Sequence, residues 1–269
     1  MNSGDVGTTA NPGPPHLASE MWDSRRPHPG PIHGHVYLCG AGPGSPSLLT
    51  LRALHLLQHC DVILPDELVS DEILALANPA ALIIPVGKRC GQPRITQAGI
   101  HELLLLHAGR NMSVLRLKSG DPLVFGRATE EIEALRAANI PFEIVPGITA
   151  AFAVAASLQT PLTDRNSASK LIFATAHHAA GKPNPLAWEG SFPPDATLVL
   201  YMPGRDFTAL SASLIAAGFS PETPVAAVSQ ASTPAEQVTL TTLAELPSSN
   251  PGPAPLLLLI GPAIQPAAR

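Results

Sequence analysis

Two ionisable side chains stand just beyond short apolar runs. Asp66 follows Asp61–Leu64 in Leu64-Pro-Asp-Glu-Leu-Val-Ser70, and Lys88 follows Leu82–Val86 in Pro85-Val-Gly-Lys-Arg89. If both runs are strands, both residues lie at strand carboxyl ends, where a carboxylate and an ammonium facing one cleft can work as base and acid. From spacing alone, a surface ion pair or two solvated side chains is the commoner arrangement for such residues. A denser polar group, Arg116-Leu-Lys-Ser-Gly-Asp-Pro-Leu-Val-Phe-Gly-Arg127, closes the run Ser113–Leu117. Ligands of open α/β sheets sit beyond strand carboxyl ends. There Gly120 lets a backbone come close, and Pro122 holds Asp121 extended. A structural turn with incidental charges is the competing explanation.

A glycine loop, Gly40-Ala-Gly-Pro-Gly44, follows the first apolar run, and Ser45-Pro46 supplies an N-cap and a first-turn proline for what comes next. A dinucleotide site fits poorly. Ser45 stands where GxGxxG puts its third glycine, and Pro43 lacks the amide donor that a phosphate cradle uses. Alone the loop is as consistent with a tight turn as with a ligand loop. Val145-Pro-Gly-Ile-Thr-Ala-Ala151 opens a helix. Tyr201-Met-Pro-Gly204 ends a strand, where Met202 either offers a soft thioether to an aromatic ligand or packs in the core. His177 and His178 are catalytic candidates or loop residues. GxSxG and HExxH are absent, Gly87-Lys88 is followed by Arg89 and Gly181-Lys182 by Pro183, so hydrolase, zincin and Walker-type NTPase motifs are missing.

The elements around these residues alternate. Strand-like runs at His35–Cys39, Asp61–Leu64, Leu82–Val86, Ser113–Leu117 and Phe142–Val145 are separated by helical spacing over Ser47–Gln58, Asp71–Ala77, Thr96–His107 and Thr129–Ala138. A helix over Thr149–Leu158 follows, then strands at Leu171–Thr175, Leu198–Met202, Val225–Val228, Gln237–Thr241 and Leu256–Ile260, with a helix over Phe207–Ala217. This is an α/β layer pattern. The expected organisation is a Pro/Gly-rich disordered leader over 1–34, an N-terminal α/β domain over 35–148, a C-terminal α/β domain with a mixed sheet over 149–263, and a tail over 264–269. Pro247–Pro255 reads as a surface loop.

Composition bounds the function. The chain of 269 residues is 45% hydrophobic and 14% charged yet holds 30 prolines, which suits a packed core with Pro-rich ends. Its longest relevant apolar stretch, Gly147–Leu158, has 12 residues, too few to span a bilayer. No apolar run in the first 30 residues resembles a secretory signal. Cys39, Cys60 and Cys90 share no CxxC spacing, so neither a disulfide frame nor a structural zinc is expected, and a cytoplasmic location follows by default. A net charge of −5 argues against nucleic acid as partner.

Taken in order, VYLCGAGPGSPSLLTLRA, DELVS, VGKR, RLKSGDPLVFGR, IPFEIVPGITAA, PLTDR, YMPG and TPAEQVTLTTLAEL resemble the tetrapyrrole methylase family from Val36 to about Gly261. The resemblance implies two α/β domains with S-adenosylmethionine in the cleft between them, and a homodimer. It implies donor contacts at Pro43, Ser119, Gly120, Asp121, Val124, Thr149, Ala150, Met202, Ala231 and Leu256. Asp66 matches the family's proton acceptor and Lys88 its proton donor. Arg89, Arg127 and Arg165 are the candidates for gripping substrate carboxylates. The implied activity is C-methylation of uroporphyrinogen III to precorrin-2 in two sequential transfers, feeding siroheme or cobalamin synthesis, with S-adenosylhomocysteine as product and no metal. A later corrin precursor such as precorrin-4 as substrate, or a non-catalytic donor-binding sensor, are the alternatives. The chain departs from the family pattern at Pro65 (usually Tyr), Ser119 (Gly), Asp164 (His) and Ala176 (Gly).

Overall fold

Residues 30–87, 95–176 and 192–264 are described by the computed structural model of the chain. Lys88, Arg89, Cys90, His177, His178 and nearly all of the expected leader and tail lie outside them. Ten strands lie among the described residues, in two five-stranded sheets.

The first sheet comprises β1 (Val36–Gly40), β2 (Val62–Pro65), β3 (Leu82–Ile83), β4 (Val114–Lys118) and β5 (Phe142–Val145), in the order β3-β2-β4-β1-β5. Every pairing in it is parallel. A parallel sheet is covered on both faces, so its central strands are buried along their whole length rather than on alternate residues; all residues of β1 and β4 are buried, the charged Arg116 and Lys118 included. On one face Tyr37, Cys39, Ile63, Leu115 and Leu117 pack on Ala53, Leu56 and Leu57 of α1 (Leu51–His59) and Ile73 of α2 (Asp71–Leu74). On the other, Leu38, Val62, Leu64 and Val114 meet Ile100 and Leu104 of α3 (Gln97–Gly109) and Leu135 of α4 (Ala128–Ala137). Each such fully buried side chain contributes about 1.5–3 kcal/mol relative to exposure.

The helix expected from Ser47 begins at Leu51 instead. The Thr50 hydroxyl accepts the Ala53 amide, which fixes the helix start; Pro46–Leu48 forms a separate short 3-10 turn capped by Ser45. Ile32 and Gly34, expected as leader, join the fold: Ile32 N donates to the Tyr37 hydroxyl, and Gly34 N donates to Met112 O. Ile264, expected as the first tail residue, is buried against the second sheet.

The second sheet holds β6 (Lys170–Thr175), β7 (Ala196–Tyr201), β8 (Pro224–Ser229), β9 (Gln237–Thr242) and β10 (Leu256–Ile260), ordered β6-β7-β10-β8-β9. β6 runs parallel to β7 and the other pairs are antiparallel, so the sheet is mixed as expected. One face, with Leu198, Leu200, Leu258 and Ile260, packs on Phe207, Leu210 and Leu214 of α6 (Phe207–Ala216). The other, with Val199, Val228, Leu257 and Leu259, packs on Ala151 and Val154 of α5 (Ala150–Ser157), the helix that carries the chain from the first sheet to the second.

Candidate active site

The strand order of the first sheet reverses around β1 and β4: from β1 the chain moves outward to β2 and β3, then returns through β4 and leaves to β5 on the opposite side. Crevices open beyond the carboxyl ends of strands at such a switch. Here the ends of β1, β4 and β5 crowd together at three glycines. A Cβ on Gly40 would lie 2.5 Å from Gly120 O and 2.6 Å from Gly147 Cα, so side chains are excluded where the three backbones cross. The Gly40–Gly44 loop and the turn after β4 are tied by Gly42 N to Gly120 O at 3.2 Å and Gly120 N to Gly42 O at 2.7 Å. Asp121 completes the tie: one carboxylate oxygen accepts Leu123 N at 2.8 Å and the other Gly147 N at 3.0 Å.

Beyond these turns lies a cavity of about 790 Å³ bounded by both sheets' loops. Of the residues expected to touch the methyl donor, Pro43, Ser119, Gly120, Asp121, Val124, Thr149, Ala150, Met202 and Ala231 line it. Leu256 does not; its neighbour Pro255 does. Side chains alternate along β10, and Leu256 falls with Leu258 and Ile260 on the face covered by α6, while Leu257 and Leu259 share the face of α5. The wall is held in costly backbone conformations: Phe125, Arg127, Met202 and Gln230 all have positive φ, between 49° and 55°. Phe125 and Tyr201 pack with centroids 4.9 Å apart, and the Tyr201 hydroxyl shares a 2.6 Å hydrogen bond with Thr149 Oγ1. Burial holds the Tyr201 phenol above its usual pKa, so it stays a neutral donor or acceptor.

Asp66 also lines the cavity, one residue past β2, its side chain 32% exposed. One of its oxygens, Oδ1, accepts Arg116 Nη2 at 2.5 Å. Arg116 is the largest fully buried side chain of the core. Its Nη1 donates to Leu64 O at 3.0 Å, and its Nε to Glu131 Oε1 at 2.9 Å. Lys118 Nζ reaches both oxygens of Glu131, at 3.0 and 3.1 Å. The group thus joins two cations and two carboxylates. Burying charge costs several kcal/mol per ion, a cost that the ion pairs and hydrogen bonds of this group offset. Desolvation works against the Arg116 charge, but Asp66 and Glu131 outweigh it and hold its pKa above the ordinary value. Desolvation and the Arg116 charge together lower that of Lys118.

Neither Arg116, Lys118 nor Glu131 was among the residues expected at the site. The signal lay in periodicity. Two residues apart in a buried strand, Arg116 and Lys118 must share one face; Ala128, Glu131 and Leu135 lie at helical three- and four-residue spacing on the buried face of α4. A buried cation pair beneath a buried acid calls for this contact.

The expected substrate arginines divide. Arg127 lines the cavity but is engaged by Glu130 through Nε to Oε1 at 2.8 Å and Nη2 to Oε2 at 2.7 Å. The structure does not bring Arg165 to the cavity lining. It is exposed in a turn closed by the Asp164–Ala168 bridge and pinned by Asp164 Oδ1, which accepts the amides of Asn166 and Ser167. Asp164, at a departure from the family pattern, is thus committed to its own turn. Lys88 and Arg89 lie outside the described residues. Among the described residues no group of three potential metal ligands occurs, and no helix is long and apolar enough to cross a membrane.

The family model for tetrapyrrole (corrin/porphyrin) methylases matches residues 35–247. A protein named uroporphyrinogen-III C-methyltransferase from Paracoccus denitrificans is 45% identical over 231 residues, covering 85% of this chain and 80% of that protein. A siroheme synthase from Psychrobacter arcticus is 43% identical over 260 residues, covering 96% of this chain but 46% of the relative, so the chain spans about half the length of such relatives. A solved uroporphyrin-III C-methyl transferase from Thermus thermophilus, complexed with S-adenyl homocysteine, superposes with a TM-score of 0.73 at 37% identity, over 86% of this chain and 98% of that one. With two sheets of this topology and a cavity at their junction, the chain belongs to the tetrapyrrole methylase family.

Proposed function

We propose that the chain transfers methyl groups from S-adenosylmethionine to pyrrole carbons of uroporphyrinogen III, giving precorrin-2 in two sequential transfers that feed siroheme synthesis, with cobalamin as a further end point. The observation that carries this is the cavity wall: nine residues at the family's donor positions face one space that also holds Asp66. The donor fits this wall. Gly120 offers backbone rather than a side chain to the cavity, and Met202, Val124, Ala150 and Ala231 supply apolar surface. When bound, the donor supplies an electrophilic methyl group on a sulfonium that already carries its leaving-group charge, so the reading assigns no metal.

The chain's own residues then do three things. Pro43, Ser119, Gly120, Asp121, Thr149 and Met202 hold the donor, and the two sheets' loops restrict water. Orientation of this kind is worth up to ~7–11 kcal/mol in favourable cases. Asp66 takes the proton lost as the methylated pyrrole system rearranges. Lys88 acts as proton donor, and Arg89 and Arg127 grip carboxylates of the substrate; for Arg127 this requires release from Glu130. On this reading the two domains are built around residues 35–148 and 149–263, with Ile32, Gly34 and Ile264 packing onto them, Leu256 contributes at most its backbone, and the protein works as a cytoplasmic homodimer. The test is to incubate the full chain with uroporphyrinogen III and the donor and to read product masses, with sedimentation for the oligomeric state.

A further inference from the structure

We propose that Glu131 is a positioning residue for methyl transfer: it holds Arg116 so that one oxygen of Asp66 is fixed and the other is left to receive the proton. The inference rests on the proposed role of Asp66 as base. Glu131 is fully buried on α4, with no exposure to the cavity, and touches neither donor nor substrate space. Its Oε1 is the acceptor for Arg116 Nε. The guanidinium is planar, so fixing Nε at one edge and Nη1 on Leu64 O fixes the direction of Nη2, which meets Asp66 Oδ1. Among the described residues Asp66 Oδ2 accepts no hydrogen bond, and the side chain is partly exposed to the cavity. One oxygen is thus anchored and the other available.

Lys118 explains how Glu131 can be there. With Arg116 it balances Glu131 and Asp66, so the buried group carries no net charge. Replacing Glu131 alone would strand Lys118 beside Arg116, and the protein could lose its fold for that reason. Replacing both together leaves the Arg116–Asp66 pair balanced in an apolar pocket. The double variant Lys118→Met with Glu131→Leu is therefore the informative one, with Lys118→Met plus Glu131→Gln as its partner, because Gln keeps an acceptor oxygen for Arg116 Nε.

The experiment compares four proteins with wild type: each double variant, Asp66→Asn, and Asp66→Asn combined with Lys118→Met and Glu131→Leu. Circular dichroism establishes folding, calorimetry with S-adenosylhomocysteine reads donor affinity, and single-turnover transfer to uroporphyrinogen III reads rate. The expected result is a rate loss of ~10²-fold in the Leu double variant, the size that a misplaced catalytic group produces. Donor affinity should be unchanged, the Gln double variant should recover most of the rate, and the triple variant should be no slower than Asp66→Asn. A purely structural role would leave the folded Leu double variant at wild-type rate, and that result overturns the proposal while the Asp66 reading stands. Losses that multiply in the triple variant also overturn it, because Glu131 would then act independently of Asp66. An unimpaired Asp66→Asn protein would overturn both. A Leu double variant that does not fold beside a folded Gln variant of low rate would likewise count against positioning through the Nε acceptor.

Discussion

Phe125 and Tyr201 meet ring to ring, 4.9 Å between centroids, one from the turn after the first sheet's β4 and the other from the end of the second sheet's β7. Tyr201 continues the contact to Phe173 at 5.9 Å, and Phe173 to Phe152 at 6.1 Å, so an aromatic row runs from the cavity wall along the second sheet. Aromatic pairs add about 0.5–1.5 kcal/mol beyond area burial. Phe125→Ala should therefore cost about 1 kcal/mol of stability and, because Phe125 also lines the cavity, weaken S-adenosylhomocysteine binding several-fold. Calorimetry and denaturant titration read the two quantities separately. Unaltered donor affinity would remove Phe125 from the donor wall.

Tyr201→Phe keeps the ring and deletes only the hydroxyl that pairs with Thr149. The cost should be about 1 kcal/mol of stability, the usual net value of one hydrogen bond. Chemical denaturation of the two proteins gives the difference directly. A loss several times larger would mean that Tyr201 also organises the start of α5.

Gly147→Ala tests the crossing of three strand ends. The added Cβ would overlap the Gly120 carbonyl oxygen and crowd Gly40, both backbone and therefore unable to swing aside. Destabilisation of about 3 kcal/mol or more is expected, at the upper end of overpacking effects. Thermal unfolding within a degree of wild type would contradict the close approach.

Acid should destabilise the protein through two histidines. Burial lowers the pKa of both His35 and His107 from 6.5, and His35 Nε2 and His107 Nδ1 are buried without a partner. The unfolded chain then binds protons more readily than the folded one. Stability from these groups is complete above pH 6.5 and is lost as pH falls below it towards their folded values. Asp61, whose pKa is lowered because Ser113 and His33 outweigh its own desolvation, adds a further loss only below about pH 3.8. Denaturation midpoints between pH 7 and 5 should fall, and His107→Gln should flatten that slope; a slope unchanged in the variant would assign it elsewhere.

The donor site should discriminate against dinucleotides. Pro43 offers no amide, and Ser45 replaces the glycine that a pyrophosphate turn uses. S-adenosylmethionine and S-adenosylhomocysteine should bind in the micromolar range while NAD gives no calorimetric signal. Comparable NAD binding would refute the assignment of this loop.

Much of this is legible in the sequence because burial on both faces makes a central strand, parallel or antiparallel, a continuous apolar run. β10 was read at its observed bounds for that reason, its four residues from Leu257 to Ile260 being buried. The expected run Leu82–Val86 is an edge: regular strand β3 covers only the exposed Leu82 and Ile83, while Ile84 N and Val86 N still donate to Ile63 O and Pro65 O of β2. Asp66 could be placed because a residue just past a strand must lie at the sheet's carboxyl edge. Leu256 could not, since matching a position does not reveal which face of a strand its side chain takes. The Arg116–Glu131–Lys118 group was hidden for a related reason. Its partners come from a strand and a helix and meet only once α4 packs on the sheet, so the charges read locally as turn residues.

Asp66→Asn carries the chemical part of the account. Asn is close in shape and still accepts from Arg116, yet it takes no proton at neutral pH. Turnover should fall ~10²–10⁴-fold with donor affinity intact. Wild-type turnover would return Asp66 to a solvated surface role, and weakened donor binding with unchanged chemistry would make it a wall residue.

The central claim is tested most directly by product masses from the wild-type chain given uroporphyrinogen III and S-adenosylmethionine. A singly methylated species should rise first and then give way to a product bearing two added methyl groups, with S-adenosylhomocysteine released in step. Unmodified uroporphyrinogen III in the presence of bound donor would contradict the account, and methylation of a later corrin precursor in its place would assign the cavity to a different member of the family.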